Sequence, residues 1–138
     1  MTKRTVLFDH DGAADDLLSL MMLLAMPHIE LMGVVVTPAD CFLRPAVSAS
    51  LKILRFFDRT DIPVSGGTLP GVHPFPQAWR TQPYAVDAFP ILNDSATPLP
   101  AAVDEPGHEF IARKLREARR PVTVLITGPV TNLAAALS

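Results

Sequence analysis

Four aspartates, Asp9, Asp11, Asp15 and Asp16, fall within eight residues, between the apolar run Val6 to Phe8 and a longer one after Asp16. Like charges crowded this closely repel one another, and a folded chain keeps them only where a cation, hydrogen-bond donors or a helix N-terminus offset the charge. A hard divalent metal is the economical offset, because such ions take several oxygen ligands at once. A plainer account makes Asp15 and Asp16 favourable partners of a helix dipole, Asp11 an N-cap and Asp9 a solvated side chain. That account serves for two acids. With four, and with no cationic residue nearby in sequence, a ligand-binding turn explains more.

The flanking elements say where that turn lies. Val6 to Phe8 reads as a buried strand, and the long run after Asp16 predicts a helix over about Ala14 to Met26, stopped by Pro27. That helix is apolar nearly all round, so both flanks are expected to be covered. Ile29 to Val36 reads as a parallel strand, and strand, helix and strand then form a βαβ unit. In an open α/β sheet, ligands bind at the carboxyl ends of the strands. Asp40, in Thr37-Pro38-Ala39-Asp40, lands on the same rim as Asp11, as a ligand contact or as the N-cap of the next helix. That helix is expected from Phe42 or Pro45 to Phe57, followed by a short edge strand at Ile62-Pro63-Val64. Gly107 to Glu117 reads as a further helix, Val122 to Ile126 as a strand buried on both faces, and Thr127-Gly128-Pro129 as a third rim turn before a last helix opening at Thr131 or Pro129. The predicted architecture is an open, mostly parallel α/β sheet with helices on both faces, a single domain over residues 1–138. Its last helix stops about two turns in, and the sheet reads as cut short.

Composition narrows the function. The chain has 138 residues, 49% of them hydrophobic, and a net charge of −2 with no basic patch beyond Arg113 to Arg120, so no nucleic-acid footprint is present. One cysteine, Cys41, excludes an internal disulfide and fits a reducing, cytoplasmic setting. Leu17 to Met26 is about half a membrane span. Ser65-Gly66-Gly67 lacks the lysine and spacing of a phosphate loop and reads as a turn. The 14 prolines concentrate between residues 63 and 106, and residues 65–106 are expected to form an irregular binding loop. His73, Phe75, Trp79 and Arg80 lie within it. Trp79, the only tryptophan, either plugs that loop onto the core or stacks on a flat ligand.

Together these blocks resemble the nucleoside hydrolases, which cleave a ribonucleoside to ribose and free base. The signature Asp-x-Asp-x-x-x-Asp-Asp is met by Asp9, Asp11, Asp15 and Asp16. Thr37 to Phe42, Pro74 to Arg80, Phe89 to Asn93 and Thr127 to Pro129 look like the purine-preferring branch. Where the family's turn usually reads Pro-Gly, or Gly-Asn in that branch, this chain has Gly12-Ala13. The resemblance implies a calcium site made by Asp11, Asp16 and the backbone carbonyl of Thr127. It implies Asp11 as general base for the attacking water, Asp15 on the ribose 2′-hydroxyl, Asp40 and Trp79 at the base, and Asp9 in support. The partner implied is a small nucleoside, with no nucleic acid and no membrane, and copies of the chain could assemble as a homo-oligomer. It covers only the N-terminal part of that family, so the remaining calcium ligand would lie beyond residue 138 and turnover by this chain alone would be impaired. Two other readings stay open. Phe8-Asp9-His10-Asp11-Gly12 also satisfies the haloacid dehalogenase signature, with Asp9 as nucleophile, Asp11 as acid/base and magnesium as cofactor. A non-catalytic, truncated domain that binds a nucleoside or associates through its open sheet edge is the third.

Overall fold

The computed structural model describes residues 3–73 and 75–138. Pro74, which belongs to one of the resemblance blocks above, lies outside them. Four parallel strands, β1 (Arg4–His10), β2 (Ile29–Val36), β3 (Val64–Gly66) and β4 (Val122–Ile126), stand in the order β3-β2-β1-β4. The chain therefore moves outward from β1 through β2 to β3, then returns to place β4 on the other side of β1. Two crossovers in opposite directions open a crevice beyond the carboxyl ends of β1 and β4.

Alternation along β1 and β2 explains the layers. Val6, Phe8, Val34 and Val36 turn to one face and share a core with Leu17 and Leu20 of α1 (Ala14–Ala25) and with Ala46, Ile53 and Leu54 of α2 (Leu43–Phe56). Leu7 and Val35 turn to the opposite face and pack on Phe110 and Ile111 of the later helix Gly107–Glu117, with Leu133 close by. Each fully buried Leu, Val or Phe of this kind contributes about 1.5–3 kcal/mol by leaving water.

The strand bounds predicted for β2 and β4, and the helix over Gly107 to Glu117, match those observed. Three expectations are corrected. β4 is only half-buried, with Thr123 exposed, because it has a single neighbour, β1. The first helix buries only Asp16, Leu17 and Leu20, and Leu18 and Met22 are 57% and 52% exposed. Ser65 and Gly66 are not a turn but part of β3, held there by pairing with Val35 and Val36.

Residues 65–106 are not irregular throughout either. A 3₁₀ turn at Trp79–Thr81 leads into α3 (Gln82–Asp87) and α4 (Pro90–Asn93), with Pro83 and Pro90 in their first turns. These lie against α2, where Lys52 Nζ donates to the Asp87 carbonyl at 2.8 Å and Arg55 to the Leu92 carbonyl at 2.7 Å. After them come α5 (Gly107–Glu117) and α6 (Thr131–Ala136). Among the described residues no helix is long and apolar enough to cross a membrane.

Candidate active site

The same alternation continues past the apolar part of β1 and distributes its polar end. Asp9 follows Leu7 to the α5/α6 face, His10 follows Phe8 to the α1/α2 face, and Asp11 is left at the tip of the strand. All three are buried, as is Asp16 in the first turn of α1.

His10 stacks on Phe8 with ring centroids 5.0 Å apart. Its Nδ1 accepts the Gly12 N–H at 3.1 Å, so its proton sits on Nε2, which faces Ser50 Oγ at 3.3 Å. The Ser50 hydroxyl in turn donates to the Ala46 carbonyl at 2.8 Å. Burial lowers the His10 pKa to about 4 against the opposing pull of Asp16, so the ring is neutral and its hydrogen bonds are all used. It is a brace for the turn.

That turn needs a glycine. Gly12 has φ +80, and a Cβ there would stand 2.6 Å from Cys41 Cβ and 2.8 Å from Ala46 Cβ. Burial pushes the Cys41 thiol up to about 12, so it serves as packing rather than as a nucleophile. Past the turn, the Asp16 carboxylate accepts the Ala13 N–H at 3.1 Å. Neither acid with a plain capping explanation takes it, for the N-caps of α1 and α2 are Ala13 and Phe42, not Asp11 and Asp40.

Of the predicted acids, Asp11, Asp16 and Asp40 come together with Asp15 beside them, and Asp9 turns to the opposite face. Burial, a hydrogen bond with Asp16 and the charges of Asp16 and Asp40 push Asp11 up to about 8. Burial, Asp16 and Asp15 raise Asp40, opposed by Arg80. Asp9 is raised by burial to about 6, with Thr37 and Asn132 pulling it down. Asp11 and Asp40, which both resist ionisation beside Asp16, mark a place where positive charge would relieve repulsion, while Asp9 is raised by burial on the opposite face. Asp40 Oδ1 and Asp9 Oδ2 are buried without a hydrogen-bond partner, which agrees. The donors are hard oxygens, suited to calcium or magnesium. Among the described residues no group of three His, Cys, Asp or Glu side chains closes around one point.

Thr127 stands at the end of β4 beside Asp9, whose carbonyl accepts its N–H at 3.0 Å. Gly128 fits against Asp11 so closely that a Cβ would lie 2.7 Å from Asp11 Cβ. Asp15 is exposed on the rim. Trp79 is 57% exposed beside Phe75, ring centroids 5.8 Å apart, and so does not plug the core. No described contact joins it to the acids directly. Its segment is moored to the rim by Phe42 N–H donating to the Arg80 carbonyl at 3.1 Å and Ala14 N–H donating to Gln82 Oε1 at 3.0 Å. A cavity of about 490 Å³ lies between the start of α2, the end of β3 and residues 102–106, and none of the clustered acids lines it.

Sequence reasoning missed His10, Ser50, Thr37 and Asn132 as parts of this site. Strand parity carries the only signal for the first: a polar residue that follows Phe8 on one face, at a strand end, must find a partner on the helix packed there.

A family model described as inosine-uridine preferring nucleoside hydrolase matches residues 6–138. A pyrimidine-specific ribonucleoside hydrolase of Photobacterium profundum is 32% identical over 145 residues, covering 98% of this chain and 43% of the relative. The enzyme of the same description from Escherichia coli is 30% identical over 135 residues, 96% of this chain and 42% of the relative. The crystal structure of an inosine-uridine preferring nucleoside hydrolase from Bacillus anthracis superposes with a TM-score of 0.93 at 45% identity, over 97% of this chain and 45% of that one. An inosine-guanosine nucleoside hydrolase, 22% identical with a TM-score of 0.75, shares the fold. This chain thus spans less than half the length of the relatives it matches. With the acid turn at the sheet's crevice and a family match over nearly its whole length, the chain belongs to the inosine-uridine preferring nucleoside hydrolases.

Proposed function

We propose that the acid turn between β1 and α1 is the nucleoside-cleaving centre of an N-ribohydrolase, working with calcium and releasing ribose and free base. The observation that carries this reading is the crowding of Asp11, Asp16 and Asp40 at a buried strand tip, where burial and then the neighbouring carboxylates hold Asp11 well above the ordinary carboxylate range. Asp11, Asp16 and the carbonyl of Thr127 would hold the ion. Bound there, calcium would supply a hard, oxygen-seeking centre for a diol and make the attacking water easier to deprotonate.

The chain's own residues do the rest. Cleavage of the N-glycosidic bond passes through an oxocarbenium-like state, so the sugar must be held rigidly and a water must lose its proton as it attacks C1′. Asp11, at the strand tip, takes that proton. Asp15, exposed in the first turn of α1, accepts from the 2′-hydroxyl. Asp9 and the His10 to Ser50 pair hold the turn still, so little reorganisation is needed as charge develops. The electrons of the broken bond go to the base, which Asp40 contacts and on which Trp79 stacks. An exposed indole on a moored segment supports a purine as the preferred base. The curated relatives carry pyrimidine-specific names, so the preference is itself part of the test. A reducing cytoplasm and a role in nucleoside salvage fit the lone buried Cys41 and this product pair.

Phosphate transfer by Asp9 is disfavoured, because that carboxylate is buried and its Oδ1 is taken by the Thr37 hydroxyl at 2.7 Å. The test is ribose release from inosine and from uridine with calcium, beside phosphate release from a phosphomonoester. Ribose from inosine faster than from uridine is expected. Phosphate release without ribose would overturn the reading, and ribose from uridine alone would overturn the purine preference.

A further inference from the structure

Behind the acid cluster, on the α5/α6 face, Asp9 meets two residues to which the sequence assigned no role. Thr37 Oγ1 donates to Asp9 Oδ1 at 2.7 Å, and Asn132 Nδ2 donates to Thr37 Oγ1 at 2.7 Å. All three side chains are buried, with Thr37 and Asn132 at 0% exposure. The direction of this chain of bonds is set at one end. A hydroxyl has one proton, so an amide N–H aimed at its oxygen leaves that proton for Asp9. Asn132 thereby fixes which way Thr37 points.

The surroundings are shaped for Asn132. A Cβ on Gly67 would lie 3.0 Å from Asn132 Nδ2, and one on Gly107 would lie 3.3 Å from it. The amide thus occupies the meeting point of the turn after β3, the start of α5, the end of β2 and the end of β1. Asp9 connects this hub to both proposed ligand strands: it precedes Asp11 by two residues, and its carbonyl holds the Thr127 N–H at 3.0 Å.

The geometry points to Thr37 and Asn132 as positioning residues that act through Asp9 to hold Asp11 and the Thr127 carbonyl at the separation a cation needs. This rests on the calcium site proposed above. Without the Thr37 hydroxyl, Asp9 Oδ1 loses its 2.7 Å donor, while Oδ2 already stands without a partner. The carboxylate then turns in its pocket, and the two strand ends that share it lose their common reference.

The test uses the full chain with Thr37→Val, which keeps shape and removes the hydroxyl, and Thr37→Ser, which keeps the hydroxyl. Calcium titration calorimetry is expected to show about 10-fold weaker binding for Thr37→Val, the lower end of what outer-shell partners contribute, and near-normal binding for Thr37→Ser. In an Asp9→Asn background the Thr37→Val change is expected to add nothing. Asn132→Asp, whose carboxylate would draw the hydroxyl proton away from Asp9, is expected to follow Thr37→Val. Unchanged calcium affinity in Thr37→Val overturns the inference.

Amide hydrogen exchange of the cation-free chain separates this from the function itself. Faster exchange at Thr127 and Gly12 in Thr37→Val, with α2 unaltered and Thr37→Ser normal, supports the positioning role even if the wild-type chain takes up no calcium, an outcome that would count against the calcium centre alone. Exchange unaltered at both amides overturns it.

Discussion

The carboxyl end of β1 faces the crevice, and the segment from Phe75 to Asn93 starts at the same rim, at Arg80 and Gln82, and runs along α2 to Arg55; the two are built on opposite terms. At the end of β1, Asp9, His10, Asp11 and Asp16 are buried and three of them are tied: Asp9 to Thr37, His10 to Gly12 and Ser50, Asp16 to Ala13. In the second region Phe75, Trp79, Tyr84, Phe89 and Ile91 are all at least 40% exposed, and the mooring runs through backbone carbonyls, one glutamine and the Lys52–Asp87 ion pair. The first region holds charge in a fixed geometry before any ligand arrives. The second offers apolar surface whose position is set but whose partner is not. Bond cleavage demands the former, because stabilising donors help most when they need not move. Recognition of a flat base tolerates the latter.

The comparison breaks most severely at Gly12. Gly12→Ala places a Cβ 2.6 Å from Cys41 Cβ in a left-handed backbone, and a loss of about 2–4 kcal/mol in urea unfolding is expected from strain and overpacking together. Trp79→Ala, by contrast, is expected to leave unfolding within about 0.5 kcal/mol of the wild type.

Gly128→Ala sharpens the contrast within the site. Its Cβ would displace Asp11 rather than the core, so calcium affinity is expected to fall by about 10-fold or more, with less effect on stability than at Gly12. Calorimetry beside urea unfolding separates the two.

The next effect is one of pH. Asp9 and Asp11 rise from an unfolded value of 3.8 to about 6 and about 8. A carboxylate raised on folding favours the folded state while protonated, and that advantage is lost as pH climbs from the unfolded to the folded pKa. His10, lowered from 6.5 to about 4, opposes this trend below about pH 6.5, so the cation-free chain is expected to lose melting temperature most clearly from about pH 6.5 to pH 8, with calcium flattening the slope there. A melting temperature that rises over this window would contradict the crowding of the acids.

The smallest effect belongs to recognition. Trp79→Ala is expected to weaken inosine binding by about 10-fold, since stacking on a base is worth about 1–3 kcal/mol, and to leave calcium uptake untouched. Equal loss of calcium would mean that the two regions are one.

Much of this was legible in the sequence, for reasons that differ by element. β2 and α5 ran to their predicted ends because a Val- and Leu-rich run and an amphipathic face opening after Pro106 mark their own limits. Exposure was misjudged on α1 and β4 because periodicity tells which residues favour burial, not what lies across from them. Ser65 and Gly66 joined β3 through pairing with β2, a tertiary effect that overrides weak strand propensity. Helices of four to six residues, as at Pro90–Asn93 and Gln82–Asp87, are too short to show a period. In the site, the clustering of Asp11, Asp16 and Asp40 followed from rim positions alone. The bonds from His10 to Ser50 and from Asn132 to Thr37 join residues 40 and 95 positions apart, so only the packed sheet brings them together.

Whether the end of β1 is a cation site that this chain can use is most directly settled by calcium titration calorimetry on the wild-type chain and on Asp11→Ala. Saturable uptake by the wild type that disappears in Asp11→Ala is the predicted result. No heat at millimolar calcium, or the same heat from both proteins, would contradict it.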